Sequence, residues 1–564
     1  MAGMHTEGAA DQFDYVIVGS GAAGAILANR LTEDGSATVC LLEAGPADWH
    51  PYLHIPAGFI KAVFNPAFAW QFNSEPNELT KGRRIPLPQG RVLGGSTSIN
   101  GLIYNRGQRD DYDHWAALGN RGWSYAEILP YFKKTERRAG GDAAFRGRTG
   151  ELPVSDIEWK HPIMDAFVAG AVGMGIARNA DYNGEAQEGV GFFQRTIHGR
   201  WRMSTAGTFL RPAKSRSGLE IRTNAQATGI VLDGKRATGV RYARKREQGT
   251  TREVRARREV IVCCGAFNTP KLLQLSGIGP GGLLQEFGIP VVHDLPGVGE
   301  NLSDHFSVRI VARAKNIRTL NEIATGVSLG GQIARWMLGM PSVLALSPSL
   351  VYFFCKSRDG LPAPDLQGVF TPASYKQGYV GMLDNYPGMT CGVWRHRPDS
   401  RGYVRLRSRD AFEDPVIQPN YLQDLRDEQG LLGGIHLARR LLQTPELAHF
   451  VDSETLPGSA TKSDAELLDF ARQYGVSSYH PNGTAHMGPV GDPTAVVDDQ
   501  LRVHGLQGLR IADSSVMPSI PSANICAATM MIGEKAADMI RGRAPLAAAD
   551  LRTRDGPGQT DPGK

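Results

Sequence analysis

The sequence predicts an α/β fold in more than one domain, on three observations. A β-α-β pattern opens the chain. A second run of strands, leading into a helix, lies between residues 219 and 277. A middle block of strand-like pieces then separates that run from a C-terminal return to strand, loop and helix. At 564 residues the chain can bury a large core, with length for roughly three or four domains, or fewer if one fold is elaborated.

The first element is FDYVIVGSGAAGAILANRL, residues 13–31. Phe13 to Val18 is an apolar, β-prone run, the glycines follow at once, and AGAILANRLTED has helical apolar spacing. A second strand, ATVCLLEAG, ends in Glu43. Gly19, Gly21 and Gly24 make a GxGxxG pattern after a strand and before a helix, with an acid about twenty positions on. The first glycine permits the tight turn, the second lets backbone approach a pyrophosphate, and the third lets helix pack on strand. The helix N-terminus, with Ala22 and Ala23, then faces phosphates. Glu43, with Ala44 beside it, is placed to accept from an adenosine ribose, and its charge disfavours a 2′-phosphate. FAD and NAD use the same unit, so this stretch alone does not choose between them.

Gly- and Pro-rich connections run from Pro46 to about Arg91, and SYAEILPYFKKTER returns to helix. The strands LEIRTNAQATGIVL, ATGVRYAR and REVIVCCG follow, the last leading into the helix NTPKLLQLSG. The densest basic stretch, Arg241 to Val260, reads as a solvated hairpin between two of these strands. From about Phe306 to Gln473, SVRIVARA and GYVRLRS are strand-like and EQGLLGGIHLARRLLQ is helical; this block reads as a substrate-facing domain. The tail RGRAPLAAADLRTRDGPGQTDPGK is polar, rich in Pro and Gly, and expected to be disordered.

Composition narrows the function. With 62 basic and 57 acidic residues the charge is near balance, which offers no argument for nucleic acid. The 67 glycines are about 12 % of the chain against an average of roughly 7 %, as a fold with many close backbone approaches requires. The six cysteines are scattered without a CxxC pair, so neither a zinc site nor a disulfide framework is expected. There is no apolar leader and no stretch of about 20 apolar residues. A cytoplasmic location is expected, with peripheral contact to a membrane left open.

GRVLGGSTSINGLIYNRG (Gly90–Gly107) and GAFNTPKLLQLSGIG (Gly265–Gly279) resemble the two signatures of the glucose-methanol-choline (GMC) oxidoreductases. GVGENLSDH, YHPNGTAHMG and LRIADSSVMPSIPSANICAATMMIGEKAADMI match that family's order and spacing, so the resemblance runs from about Asp14 to Ile540. It is strongest to the bacterial choline-dehydrogenase-like and alcohol-dehydrogenase-like branch. The resemblance implies a discontinuous Rossmann-like FAD-binding domain plus an antiparallel-sheet α+β substrate-binding domain. The implied divisions give the FAD domain residues 12–150, 206–305 and 474–542. The substrate domain takes 151–205 and 306–473, and a tail 543–564 follows. By similarity Val92, Gly94, Asn100, Gly101, Leu102 and Ile103 line the flavin or pyrophosphate. Ala227 offers its backbone to the adenine, and Ala512 and Asp513 stand at a strand end near the flavin. Some relatives tether FAD through a histidine where this chain has Ile99, which has no nucleophile, so the FAD is expected to be non-covalent.

Alcohol oxidation needs a base of pKa near 7 within reach of the substrate hydroxyl, and histidine suits this. His480, in YHPNGT, aligns with the family's active-site histidine; His486 reads as structural. Ungapped matching puts Cys526 at the second polar position of the family's catalytic pair, with Asn524 at another polar position two residues earlier. Choline-oxidising relatives carry a glutamate where this chain has Ser307, so a cationic substrate is disfavoured. The expected reaction is FAD-dependent oxidation of a neutral primary alcohol. A choline-type dehydrogenase, and a non-redox relative such as a flavin-containing lyase or photodecarboxylase, stand as alternatives. The electron acceptor (oxygen, a quinone or another) and the oligomeric state stay open.

Overall fold

The computed structural model describes residues 11–244, 250–376 and 382–551. The basic stretch runs from the end of the strand Arg236–Ala243 into the strand Arg252–Val262, which pair antiparallel, and residues 245–249 between them lie outside the described residues.

Two seven-stranded sheets carry the chain. The first is centred on Gln12–Val18, which pairs in parallel with Val39–Leu42 on one side and Arg252–Val262 on the other. Leu219–Arg222 extends the parallel set beyond Val39–Leu42. The long strand Arg252–Val262 takes two partners on its far edge. Its N-terminal half pairs with Arg236–Ala243, which in turn pairs with Gln226–Asp233, both antiparallel. Its last three residues, Val260 to Val262, pair in parallel with Leu509–Ile511. The parallel strands read as unbroken apolar runs because helices cover both faces; Val16, Ile17, Leu41, Val260 and Ile261 have no exposed surface.

The helix Gly24–Leu31 is buried at every residue. It lies against the C-terminal helix Cys526–Ile540; Gly24 lets it close on the strand end, and Gly533 lets the C-terminal helix close on its start. A Cβ on Gly24 would sit 1.9 Å from the Gly19 carbonyl oxygen, and one on Gly533 2.8 Å from Ala23 Cα. The glycine-rich turn near the N-terminus thus positions the segment holding Asn524 and Cys526, some 500 residues away in sequence.

The second sheet is wholly antiparallel. Its order is Val451–Leu456, Phe306–Ala314, Gly388–Arg395, Leu366–Thr371, Val351–Cys355 and Gly189–Phe192, and Val476–Ser477 pairs with the start of Phe306–Ala314. Alternation divides its faces. Phe306, Val308 and Ile310 enter a second apolar core with Leu431, Ile435 and Leu441 of the helix Leu425–Leu442. Ser307 and Arg309 face the other way, into a cavity between the sheets.

The start of the expected disordered tail departs from that expectation. Leu546, Ala549 and Leu551 pack on the first core, and the Ala549 amide donates to the Ala126 carbonyl at 2.8 Å. These apolar side chains bury surface that a wholly polar tail would lack. Residues 552–564 lie outside the described residues. Among the described residues, no helix is long and apolar enough to cross a membrane.

Candidate active site

The carboxyl ends of the parallel strands open into one cavity of about 390 Å³, where open α/β sheets bind their ligands. Gly19, Glu43, Gly265 and Asp513, each just past a strand end, line it. Ala227 lines the nucleotide end; His480 and Asn524 line the other, facing the second sheet.

At the nucleotide end the three glycines divide the labour as their spacing requires. Gly19 has φ +97°, and a Cβ there would lie 2.3 Å from the Cys263 carbonyl oxygen. Gly24 packs helix on strand. A Cβ on Gly21 would meet nothing within 4 Å, because Gly21 faces the open cavity. The second loop, Gly94–Gly95, meets the first: a Cβ on Gly95 would lie 2.7 Å from Gly21 Cα. Backbone is therefore bare where a pyrophosphate must approach, and these residues fit FAD. Glu43 Oε2 accepts from Ser20 N (3.1 Å) and Ser20 Oγ (2.6 Å), and Oε1 accepts from Gly45 N (2.8 Å). Burial raises its pKa. Oε1 keeps a lone pair for a ribose hydroxyl. Asp513 is likewise buried with a raised pKa, and its oxygens accept from Gly265 N, Thr269 Oγ1 and Ser515 N.

Most of the expected cofactor positions line the cavity: Gly19, Gly21, Ala22, Ala23, Glu43, Ala44, Asn100, Gly101, Leu102, Ile103, Ala227 and Asp513. Four do not. Gly24 is the packing glycine. Gly94, with φ +90°, donates its amide to Ser20 Oγ. Val92 belongs to a small apolar cluster with Leu53, Ala62 and Phe68. Ala512 is held in the sheet by its amide bond to the Val262 carbonyl at 2.9 Å. Ile99, the position used for tethering in some relatives, is on the cavity wall and offers no nucleophile.

At the reactive end the side chains form a directed chain of hydrogen bonds. His305 Nε2 lies 2.7 Å from the His396 carbonyl oxygen. A carbonyl only accepts, so His305 carries its proton on Nε2 and accepts on Nδ1. His480 Nδ1 lies 2.9 Å from that Nδ1 and is therefore the donor. The remaining His480 nitrogen, Nε2, carries the lone pair, which accepts from Asn524 Nδ2 at 3.0 Å. Gln367 Nε2 donates to Asn524 Oδ1 at 3.2 Å, which fixes the amide's orientation. Burial pushes the His305 pKa down to about 4 and holds His480 well below the usual histidine range, the His305 ring adding to the effect. Both rings are neutral at pH 7.

Asp304 anchors the two histidines through their backbones, accepting from His480 N (2.7 Å) and His305 N (2.9 Å). Its other oxygen accepts from Tyr421 Oη at 2.5 Å and from the Ser477 hydroxyl. Burial pushes its pKa up to about 6.

Cys526 also lines the cavity, but its partner is not His480. Its sulfur accepts from Asn100 Nδ2 at 3.7 Å, and Asn100 Oδ1 accepts from the buried Arg202 at 2.8 Å. Burial pushes the thiol up to about 11, so it is protonated and unreactive at neutral pH. Asn524, not Cys526, holds the place beside the base. The physical reason is phase: Asn524 precedes the helix that begins at Cys526, and its side chain turns toward the second sheet. His486 bonds Asp492 at 3.3 Å, outside the cavity lining.

Sequence reasoning missed His305, Asp304, Gln367 and Arg309. The first two stood in GVGENLSDH, where a histidine directly after a buried acid was the available signal. Gln367 and Arg309 carry no local signal; only strand register turns them inward.

Two family models, both described as GMC oxidoreductase, match residues 13–307 and 398–533. The chain is 40 % identical over 537 residues to an oxygen-dependent choline dehydrogenase of Brucella anthropi, covering 95 % of this chain and 97 % of that one. It is 39 % identical over 539 residues to the enzyme of the same name from Rhizobium johnstonii, covering 96 % and 97 %. Among solved structures, pyridoxine 4-oxidase from Mesorbium loti superposes with a TM-score of 0.84 at 28 % identity, covering 94 % of this chain and 99 % of that one. A fungal aryl-alcohol oxidase gives 0.82 at 26 % identity, with the same shares. With its glycine cradle suited to FAD and its neutral histidine at the far end of the same cavity, this chain belongs to the GMC oxidoreductase family, FAD-dependent enzymes acting on CH–OH groups.

Proposed function

We propose that this chain oxidises a primary alcohol bearing no positive charge to its aldehyde, with His480 as the base. The observation that carries this is the His480 Nε2 lone pair, held in the cavity by the His305 contact at Nδ1 and met by Asn524. Bound FAD supplies the hydride acceptor. His480 Nε2 takes the hydroxyl proton, and Asn524 Nδ2 donates to the substrate oxygen. The Nδ1–H bond to His305 keeps the ring from turning and strengthens as the ring becomes cationic. The lowered pKa keeps the ring unprotonated at neutral pH, so Nε2 is available to accept the hydroxyl proton.

The second reading is a choline-type substrate, which the 40 % identity to choline dehydrogenases favours. The cavity argues the other way. Ser307, in its wall, donates to the Val476 carbonyl at 3.2 Å and brings no charge. The acids that line the cavity among the described residues, Glu43 and Asp513, follow strands of the first sheet and are engaged there. A trimethylammonium would find no carboxylate at the reactive end.

The test is anaerobic mixing of the FAD-loaded protein with an alcohol panel that includes choline, read at the flavin absorbance, followed by admission of oxygen. Bleaching by uncharged or anionic primary alcohols is expected. Bleaching by choline alone would overturn the substrate reading. No bleaching by any alcohol would overturn the oxidation itself and favour non-redox chemistry.

A further inference from the structure

The reactive end of the cavity contains an unsatisfied cation. Arg309 lies on Phe306–Ala314, lines the cavity, and among the described residues has neither a carboxylate within ion-pair distance nor a hydrogen-bond partner. The ionisable groups acting on it are the phenols of Tyr375 and Tyr479, both in the cavity wall. Desolvation lowers its pKa, yet the residue is only partly buried and keeps surface on the cavity, so the guanidinium is open to a ligand. A partly desolvated charge with no partner of its own gains from pairing with an opposite charge, and such groups serve to bind one.

Strand register places this cation relative to the base. Ser307 stands opposite Trp394, and Trp394 opposite Gln367, the residue that orients Asn524. Arg309 is in the next inward-facing row, opposite Gly392, which is opposite Val369. Rows on one face are about 7 Å apart. Arg309 packs beside Gly392: a Cβ there would be in ordinary contact with Arg309 Cγ, at 3.9 Å, and tight only against Val369 Cγ2, at 3.0 Å. The stem of Arg309 thus lies over a bare stretch of strand.

We infer that the substrate is a primary alcohol carrying an anionic group, of which a carboxylate is the simplest, held by Arg309 about one strand row from the carbinol. This rests on the alcohol-oxidation reading and departs from the neutral alcohol expected from sequence by placing a negative charge on the substrate. The reaction converts –CH2OH to –CHO. The hydroxyl proton goes to His480 Nε2, the hydride goes to FAD, and the carboxylate is unchanged. A planar guanidinium flanked by two phenols suits a carboxylate, which accepts two parallel N–H bonds. A quaternary ammonium would be repelled at the same place.

The test compares matched substrates, a short ω-hydroxy acid and its methyl ester, in wild-type holoenzyme and in Arg309→Met and Arg309→Lys. The readout is kcat/KM for anaerobic flavin reduction. The wild type is expected to prefer the acid. Met should lower the acid-to-ester ratio about 10- to 100-fold, as loss of a charged hydrogen bond does, and Lys should retain part of it. Binding is read separately, by perturbation of the oxidised flavin spectrum with an alkanoic acid that has no hydroxyl, against equal chloride. Saturable binding by the alkanoate alone, lost in Arg309→Met, supports the anion site even if no alcohol reacts. Three results would overturn it: ester preferred by wild type, an acid-to-ester ratio unmoved by Met, or chloride binding as well as the alkanoate.

Discussion

The nucleotide end of the cavity is built from backbone, and the reactive end from side chains. At the first, Gly19, Gly21 and Gly24 lie within six consecutive residues, and Gly95 closes on them from the second loop. Each works by lacking a side chain. At the second, His305, Gln367, His480 and Asn524 come from four separate segments, and they work through a relay of directed hydrogen bonds. A cofactor shared by a whole family suits the first construction, because its phosphates are read by amides. A substrate that differs between members suits the second, because single side chains can change without disturbing the turn.

Four substitutions test this contrast. The largest effect is expected at the base. His480→Ala should retain FAD and slow flavin reduction by alcohol by about 10² to 10⁴, the usual worth of a general base. In the wild type the neutral ring is the active form. With the pKa depressed, the rate should be flat from neutral pH upward and fall only on acidification below the ordinary histidine value of 6.5. An acid limb centred above 7 in a stopped-flow pH series, or a limb that persists in the variant, would remove His480 from the role.

Next is Gly21→Val. The added carbons project into open cavity, so the fold should be kept and melting of the FAD-free protein little changed. FAD affinity, by fluorescence titration, should fall by at least about tenfold, roughly 1.4 kcal/mol. Unchanged affinity would mean that the turn does not approach the phosphates.

The smallest effect is expected at the position whose role changed most on going from sequence to structure. Cys526→Ala removes one weak sulfur contact, to Asn100, and should alter alcohol turnover by no more than about threefold. Asn524→Ala, two residues earlier, removes the group facing His480 Nε2 and should cost more than Cys526→Ala. The reverse ranking would restore Cys526 to the substrate oxygen.

The legibility of the chain follows the same division. Strand, glycine turn and helix were readable between residues 13 and 31 because a β-α turn is local: its φ angles and close approaches are set by neighbours in sequence. His480 was readable because its surrounding motif was. The hydrogen-bond partner of Cys526, Asn100 and not the base, was not readable. Linear matching preserves spacing along a chain but carries no information on which way a side chain turns where a loop becomes a helix.

By itself, then, the sequence determined that a glycine cradle for FAD would form and that a histidine with a family context would accompany it. The tertiary structure alone decided the tautomer of His480, through a carbonyl at residue 396 acting by way of His305. It alone placed Gln367 behind Asn524, and it turned Arg309 into the cavity without a carboxylate partner among the described residues. The reason is the range of the forces concerned. Backbone turns are settled within a few residues, whereas the charge and hydrogen-bond direction at a buried site depend on every segment packed around it.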